Sequence, residues 1–94
     1  MKIKNSYRIA GHKYTVQFKE MDENFGKCDL EKCIIYIDEN LTQSQQEETL
    51  FHEVIHAMRN ALGIAVKDTD DEEILVQGMG NQLYQFLRDN AIID

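Results

Sequence analysis

The sequence lacks any long apolar segment, because no run approaches the roughly 20 apolar residues that a transmembrane helix requires. Its first residues, Met-Lys-Ile-Lys-Asn-Ser-Tyr, also lack the apolar stretch of a secretory signal. A membrane protein is therefore not expected, and the predicted compartment is the cytoplasm. Proline, internal repeats and low-complexity stretches are absent as well, and 94 residues suit a single domain spanning 1–94.

Cysteine and basic residues are both scarce. Cys28 and Cys33 are too few for a disulfide framework, and their spacing is too wide for a CxxC redox or zinc motif. We interpret both as reduced packing residues. The 10 basic residues are scattered and outnumbered by 17 acidic ones, which gives a net charge of −7. Because nucleic acids are bound through clustered Lys and Arg, a nucleic acid is not an expected partner.

The first half of the chain has the patterns of β-strands. Residues 3–19 alternate apolar and polar side chains around a turn at Gly11, which predicts a β-hairpin. Residues 21–27 are expected to form a loop or a short irregular strand. Residues 33–37, Cys-Ile-Ile-Tyr-Ile, predict a strand that is buried on at least one face.

The second half changes to helical periodicity. Capping boxes starting at Thr42 and at Ser44 both fit the beginning of a helix, and Gly63 suits the position after its end. A second helix is expected after an acidic loop at 67–71 and runs to about Asn90. Its apolar stripe consists of Leu75, Val76, Met79, Leu83, Phe86 and Leu87. The predicted fold class is α+β, with a small antiparallel or mixed sheet, formed by the hairpin and one or two strands, packed on two C-terminal helices.

The run His-Glu-Val-Ile-His at 52–56 has the spacing of a metal site on the first helix. Residues four apart leave the same helical face, so His52 and His56 can bind one ion. Zinc fits this pair, because it takes histidine nitrogen at ~2.0–2.1 Å in a tetrahedral site. Glu53 lies about 100° round the helix, which suits a general base that contacts a water at the metal. We therefore predict one zinc ion per chain.

The predicted zinc site needs a third protein ligand, and neither of two possible histidine positions fits it well. In the extended HExxHxxGxxH pattern the third histidine would fall on Leu62, so this source is excluded. His12 is distant in sequence and is more typical of a solvated turn. The remaining source is a carboxylate at the start of the second helix.

Glu73 is favoured as that carboxylate, because Thr69 assigns Glu72 to a capping box. Gln77, one turn after Glu73, suits a partner for a ligating histidine. Glu72 remains the alternative ligand, since it shares a helical face with the apolar stripe. For the oxyanion of amide hydrolysis, Tyr36, Tyr84 and His12 are candidate donors.

The run at 52–56, followed sixteen residues after His56 by Glu-Glu on a second helix, resembles the gluzincin metallopeptidases. The whole arrangement is similar to the minimal zincins of the ImmA/IrrE-like group, often encoded by phages and mobile elements. The likeness includes the hairpin, Gly-Lys-Cys-Asp at 26–29, the strand at 33–37 and the terminal helix. One departure is Gln77, where larger gluzincins carry Asp.

The resemblance implies a zincin-like fold with zinc on His52, His56 and a glutamate of the second helix, and Glu53 as the base. It implies a protein or peptide substrate, with one specific protein as an option. It also implies that the strand at 33–37 is an edge strand that borders the cleft and pairs with an extended substrate through Ile35, Tyr36 and Ile37.

Two other interpretations use the same residues. In a non-catalytic zincin-like binding module, zinc would be a structural element, and Cys28 or Cys33 would close the open coordination position. A calcium loop at 68–73 is excluded, because Glu73 replaces the required glycine and Met79 replaces the terminal glutamate. An intact Glu53 favours catalysis, since a structural site has no use for a base.

Overall fold

The structure, a computed structural model, describes residues 1–63 and 71–93, apart from the side chains of Glu72, Glu73 and Val76. The elements are β1 (Ser6–Ile9), β2 (His12–Lys19), β3 (Gly26–Asp29), β4 (Ile34–Asp38), α1 (Gln43–Leu62) and α2 (Glu72–Asp89). Strands followed by helices confirm the predicted α+β class. Neither described helix combines the length and apolar character that a membrane crossing would require.

The four strands form one mixed sheet in the order β1-β2-β4-β3. β1 and β2 form the predicted antiparallel hairpin, with Tyr7 opposite Tyr14. Its turn places Ala10 and Gly11 at positive φ angles of 52° and 85°. β4 runs parallel to β2 and antiparallel to β3, so β1 and β3 are the edge strands and β4 is interior.

The expectation that the strand at 33–37 is an edge strand is wrong. β4 pairs with β2 on one side and with β3 on the other, so its backbone groups are engaged by both neighbours. Ile35 and Ile37 are also fully buried. Consequently Ile35, Tyr36 and Ile37 cannot pair with an extended substrate. The strand begins at Ile34, because Cys33 has a φ of 55° in the preceding turn.

Local capping fixes both ends of α1. The Thr42 hydroxyl accepts a hydrogen bond from the Gln45 backbone N–H at 3.3 Å, and the Gln45 side chain accepts one from the Thr42 N–H at 3.0 Å. This confirms the capping box at Thr42, whereas Ser44 lies inside the helix. Gly63, with a φ of 79°, follows the last helical residue as predicted.

Both helices cover one face of the sheet. α1 packs against β3 and β4, and α2 packs against β1. The buried apolar residues are Tyr7, Ile9, Tyr14, Ile35, Ile37, Leu50, Val54, Ala57, Met58 and Phe86. The predicted apolar stripe of α2 is confirmed in part. Phe86 is buried and stacks on Tyr7, with 5.6 Å between the ring centroids, whereas Leu83 is exposed.

Candidate metal centre

His52 and His56 lie side by side on the outer face of α1. Their Nε2 atoms are 3.2 Å apart, their ring planes are inclined by 74°, and both side chains are exposed. Two nitrogens bound at ~2.0–2.1 Å to one tetrahedral zinc lie about 3.3 Å from each other. The observed separation, which is also within hydrogen-bond distance, is compatible with two ligands of a single ion. The donor set is also chemically suitable, since imidazole nitrogen is a preferred zinc ligand.

The apolar face of α1 sets the orientation of this pair. Leu50, Val54 and Met58 are buried at a spacing of four residues and hold that face against the sheet. The two histidines, offset by two residues from this series, are consequently directed away from the core. The helix therefore places both imidazoles before any metal is bound.

Glu53 occupies the boundary between the core and the histidine face. Its side chain is only 7% exposed. Within the described part of the chain its carboxylate has no hydrogen-bond or ion-pair partner. Among the described residues only Gln82 has a side-chain polar atom that is both fully buried and unpaired, so the Glu53 carboxylate itself is open to the cleft while the rest of the side chain is covered. A carboxylate held by packing and open to a cleft suits a general base.

Cys28 on β3 is a neighbour of Glu53. The pKa of the half-buried Cys28 thiol is raised to about 11, first by burial and then by the negative charge of Glu53, with smaller contributions from Cys33 and Asp29. A metal binds the thiolate form of cysteine, which this environment disfavours. Both cysteines are free and pack against the core, which confirms their interpretation as packing residues.

No three His, Cys, Asp or Glu side chains of the described residues are grouped so that they could hold one metal ion. Cys28, Cys33 and His12 therefore do not join the histidine pair. The structural-zinc interpretation loses the two cysteines that it would have used as a closing ligand. The carboxylates of the second helix remain the candidates for the third position.

The N-terminus of α2 is relevant to whether Glu72 or Glu73 is the third zinc ligand. The Asp71 carbonyl accepts a hydrogen bond from the Leu75 N–H at 3.2 Å, and its side chain accepts one from the Ile74 N–H at 3.3 Å. Asp71 therefore occupies the N-cap position. Because Asp71 holds that position, α2 does not begin with the capping box predicted at Thr69, and this reason for preferring Glu73 no longer applies. Thr69 itself and the side chains of Glu72 and Glu73 lie outside the described residues. The choice of Glu73 over Glu72 accordingly stays a prediction.

A cleft of about 520 Å³ is lined by His52 and Glu53, but not by His56. One wall is α1, which contributes Glu48, Thr49, His52 and Glu53. The other wall is the segment entering β3, which includes Glu23 and Phe25. Sequence reasoning missed this second wall, because the two segments are far apart along the chain and share no motif.

The three oxyanion candidates do not line this cleft. Tyr36 alternates with the buried Ile35 and Ile37, so its side chain lies on the opposite face of the sheet. There Lys19 Nζ sits 4.3 Å from the centre of its ring. Tyr84 is exposed on α2 and accepts a hydrogen bond from Arg88 at 2.8 Å. None of the candidates is therefore assigned an oxyanion role.

Comparisons with models of known protein families, with curated proteins and with solved structures find no match to this chain. The geometry of its own residues is thus the basis for a functional proposal.

Proposed function

We propose that this chain is a zinc-dependent metallopeptidase, with His52 and His56 as metal ligands and Glu53 as general base. The main support is the 3.2 Å separation of the two Nε2 atoms, which suits two ligands of one tetrahedral ion. Glu73 is proposed as the third ligand, with Glu72 as the alternative. Three protein ligands leave a coordination position open, as catalytic zinc sites do.

In the proposed peptide hydrolysis, the metal and Glu53 have separate roles. Zinc, when bound, polarises a scissile carbonyl and acidifies water. Glu53 takes a proton from the attacking water and delivers it to the leaving amine. Because no described residue forms a hydrogen bond or ion pair with the Glu53 carboxylate, its oxygens are available for this transfer. Its position on the cleft wall gives it access to substrate.

The proposed substrate is a protein or peptide in extended conformation. With β4 in the interior of the sheet, β3 is the strand next to the cleft that lies at an edge of the described sheet. Backbone pairing with Gly26–Asp29 would lay a substrate strand along α1. A cytoplasmic location is proposed as well, since both cysteines are free and that compartment keeps thiols reduced.

Metal binding is the first test of this function. Zinc titration against a chromophoric chelator should give about one zinc per chain for the wild type. His52→Ala and His56→Ala should each lose the metal, whereas His12→Ala should retain it as a matched control. Full metal content in either of the first two variants would exclude the ligand assignment.

Hydrolysis is the second test. The zinc-loaded chain is incubated with a diverse peptide mixture, and new termini are identified by mass spectrometry. Glu53→Gln should keep the zinc and abolish cleavage, because an amide cannot accept the proton. Undiminished cleavage by this variant would exclude Glu53 as the base.

A further inference from the structure

The cleft beside Glu53 is acidic on both walls. Glu48 on α1 and Glu23 on the segment entering β3 line it from opposite sides. Both side chains are exposed, and neither has a hydrogen-bond or ion-pair partner within the described part of the chain. No described Lys or Arg lines the cleft. Its walls therefore carry negative charge that this part of the chain does not neutralise.

Glu53 adds a separate indication that the cleft receives a ligand. It is 7% exposed and unpaired among the described residues, yet it lies on the cleft wall. A carboxylate in this environment is stabilised by a positively charged or hydrogen-bonding occupant. In the zinc-free chain Glu53 adds to the negative charge of the cleft. With zinc and one carboxylate ligand bound, Glu53 would balance the remaining positive charge, and Glu23 and Glu48 alone would keep the cleft negative.

Phe25 gives the cleft an apolar surface next to these charges. Its side chain is 61% exposed and belongs to the same wall as Glu23. Lysine and arginine bury their aliphatic stems on apolar surfaces while their charged ends remain near water or a carboxylate. An aromatic ring also attracts a cation placed over its face.

We propose that this cleft is a specificity subsite for a lysine or arginine side chain of the peptide substrate, with Glu23 and Glu48 as the determinants of charge. This inference rests on the proposed peptidase function for its biological meaning. The aliphatic stem lies along Phe25, and the cationic end lies between the two carboxylates. An acidic side chain is repelled, and an apolar one gains only the contact with Phe25.

The test measures binding, so that it does not depend on catalysis. The ¹⁵N-labelled chain, with and without zinc, is titrated with blocked tripeptides that differ only in a central Lys, norleucine or Glu. Each exposed ion pair is worth roughly 1.4- to 5-fold in affinity, so two pairs should make the lysine peptide bind about 2- to 25-fold more tightly than the norleucine peptide. The glutamate peptide should bind most weakly, and shifts should concentrate in residues 23–26 and 45–53.

Charge-neutral variants identify the determinants. In Glu23→Gln/Glu48→Gln the preference for lysine should disappear, while affinity for norleucine is retained. Glu31→Gln, which removes an exposed charge that does not line the cleft, should keep the preference. The proposal would be overturned by equal affinity for the lysine and norleucine peptides, or by a lysine peptide that shows no saturable binding. Chemical-shift changes outside residues 23–26 and 45–53, or an equal loss of the lysine preference in Glu31→Gln, would overturn it as well.

The two proposals can fail separately. A preference for lysine in a chain that neither binds zinc nor cleaves peptides would uphold the subsite and reject the peptidase. Cleavage without any preference for a basic residue near the scissile bond would uphold the peptidase and reject the subsite.

Discussion

Thr49 on α1 packs directly against Gly26 on β3. A Cβ atom at Gly26 would lie 2.5 Å from Thr49 Cγ2, 2.8 Å from the Tyr36 carbonyl oxygen and 3.5 Å from Glu53 Cγ. Glycine therefore lets the helix approach the edge strand closely enough to hold Glu53 at the cleft wall. This contact links the packing of the sheet to the position of the proposed base.

Gly26→Ala should lower the free energy of unfolding by about 1–3 kcal/mol, because the Tyr36 carbonyl belongs to the backbone and cannot move aside cheaply. Urea unfolding measures this change. Cleavage should fall more than zinc affinity does, since the shift displaces Glu53 and leaves both histidines in place. Adding Thr49→Ser removes Cγ2 and should recover part of the loss.

Gly80→Ala is the matched control for that substitution. A Cβ at Gly80 has no atom of the described residues within 4 Å. Because alanine favours a helix interior over glycine by roughly 0.5–1 kcal/mol, Gly80→Ala should stabilise the chain slightly. Gly26→Ala unfolding at the same urea concentration as the wild type would contradict the packing account.

Asn90 anchors the end of α2 to β1 and should contribute strongly to stability. It is buried; its Oδ1 accepts from the Arg8 N–H at 2.7 Å, and its Nδ2 donates to the carbonyls of Arg8 and Phe86 at 2.9 and 2.8 Å. Asn90→Ala removes the partner of the Arg8 N–H and carbonyl, whereas the Phe86 carbonyl keeps its bond from the Asn90 N–H, and the substitution should cost roughly 1–3 kcal/mol in urea unfolding. Asn81→Ala, on the exposed face of α2, should change stability by less than about 0.5 kcal/mol. Equal losses in the two variants would refute the anchoring role.

The features that sequence patterns predicted correctly are those determined by nearby residues. The Thr42 capping box, the hairpin around Gly11 and the convergence of His52 with His56 each depend on residues within a few positions of one another. Short-range spacing defines a turn or a helical face directly. These features could therefore be predicted from the sequence without knowledge of the rest of the fold.

The features that were missed depend on long-range pairing. Periodicity predicted a strand at 33–37, but it could not show that β4 inserts between β2 and β3. Sequence patterns predicted a loop or a short irregular strand at residues 21–27, because Gly-Lys-Cys-Asp at 26–29 has no alternating apolar pattern; pairing with β4 makes Gly26–Asp29 a strand. Glu23 and Glu48 line the same cleft only because α1 packs on this edge of the sheet.

The third zinc ligand can be assigned by comparing Glu72→Ala with Glu73→Ala. We expect Glu73→Ala to weaken zinc binding by more than the roughly 10–100-fold that follows loss of an outer-shell partner. Glu72→Ala should have a smaller effect, because its carboxylate is not needed at the metal. Chelator competition measures both affinities. The reverse order would assign Glu72, and two unchanged affinities would exclude both carboxylates.

The reactivity of Cys28 reports the position of the Glu53 carboxylate. A thiol with a pKa raised to about 11 is thiolate in only about one part in a thousand at pH 8, so alkylation by iodoacetamide should be slow. The rate should rise about tenfold per pH unit up to that pKa. Unfolding the chain in urea should remove this protection, because the thiol becomes solvated.

Glu53→Gln should accelerate alkylation of Cys28 a few-fold at pH 8 in the metal-free chain. Removing a negative charge favours the thiolate, so the pKa of Cys28 falls, but burial keeps it above its ordinary value of 9.0. Glu31→Gln removes a charge that does not raise this pKa and should leave the rate unchanged. Mass spectrometry of the peptide containing Cys28 measures each rate. An unaltered rate in Glu53→Gln would place the carboxylate away from β3 and remove the basis for its position on the cleft wall.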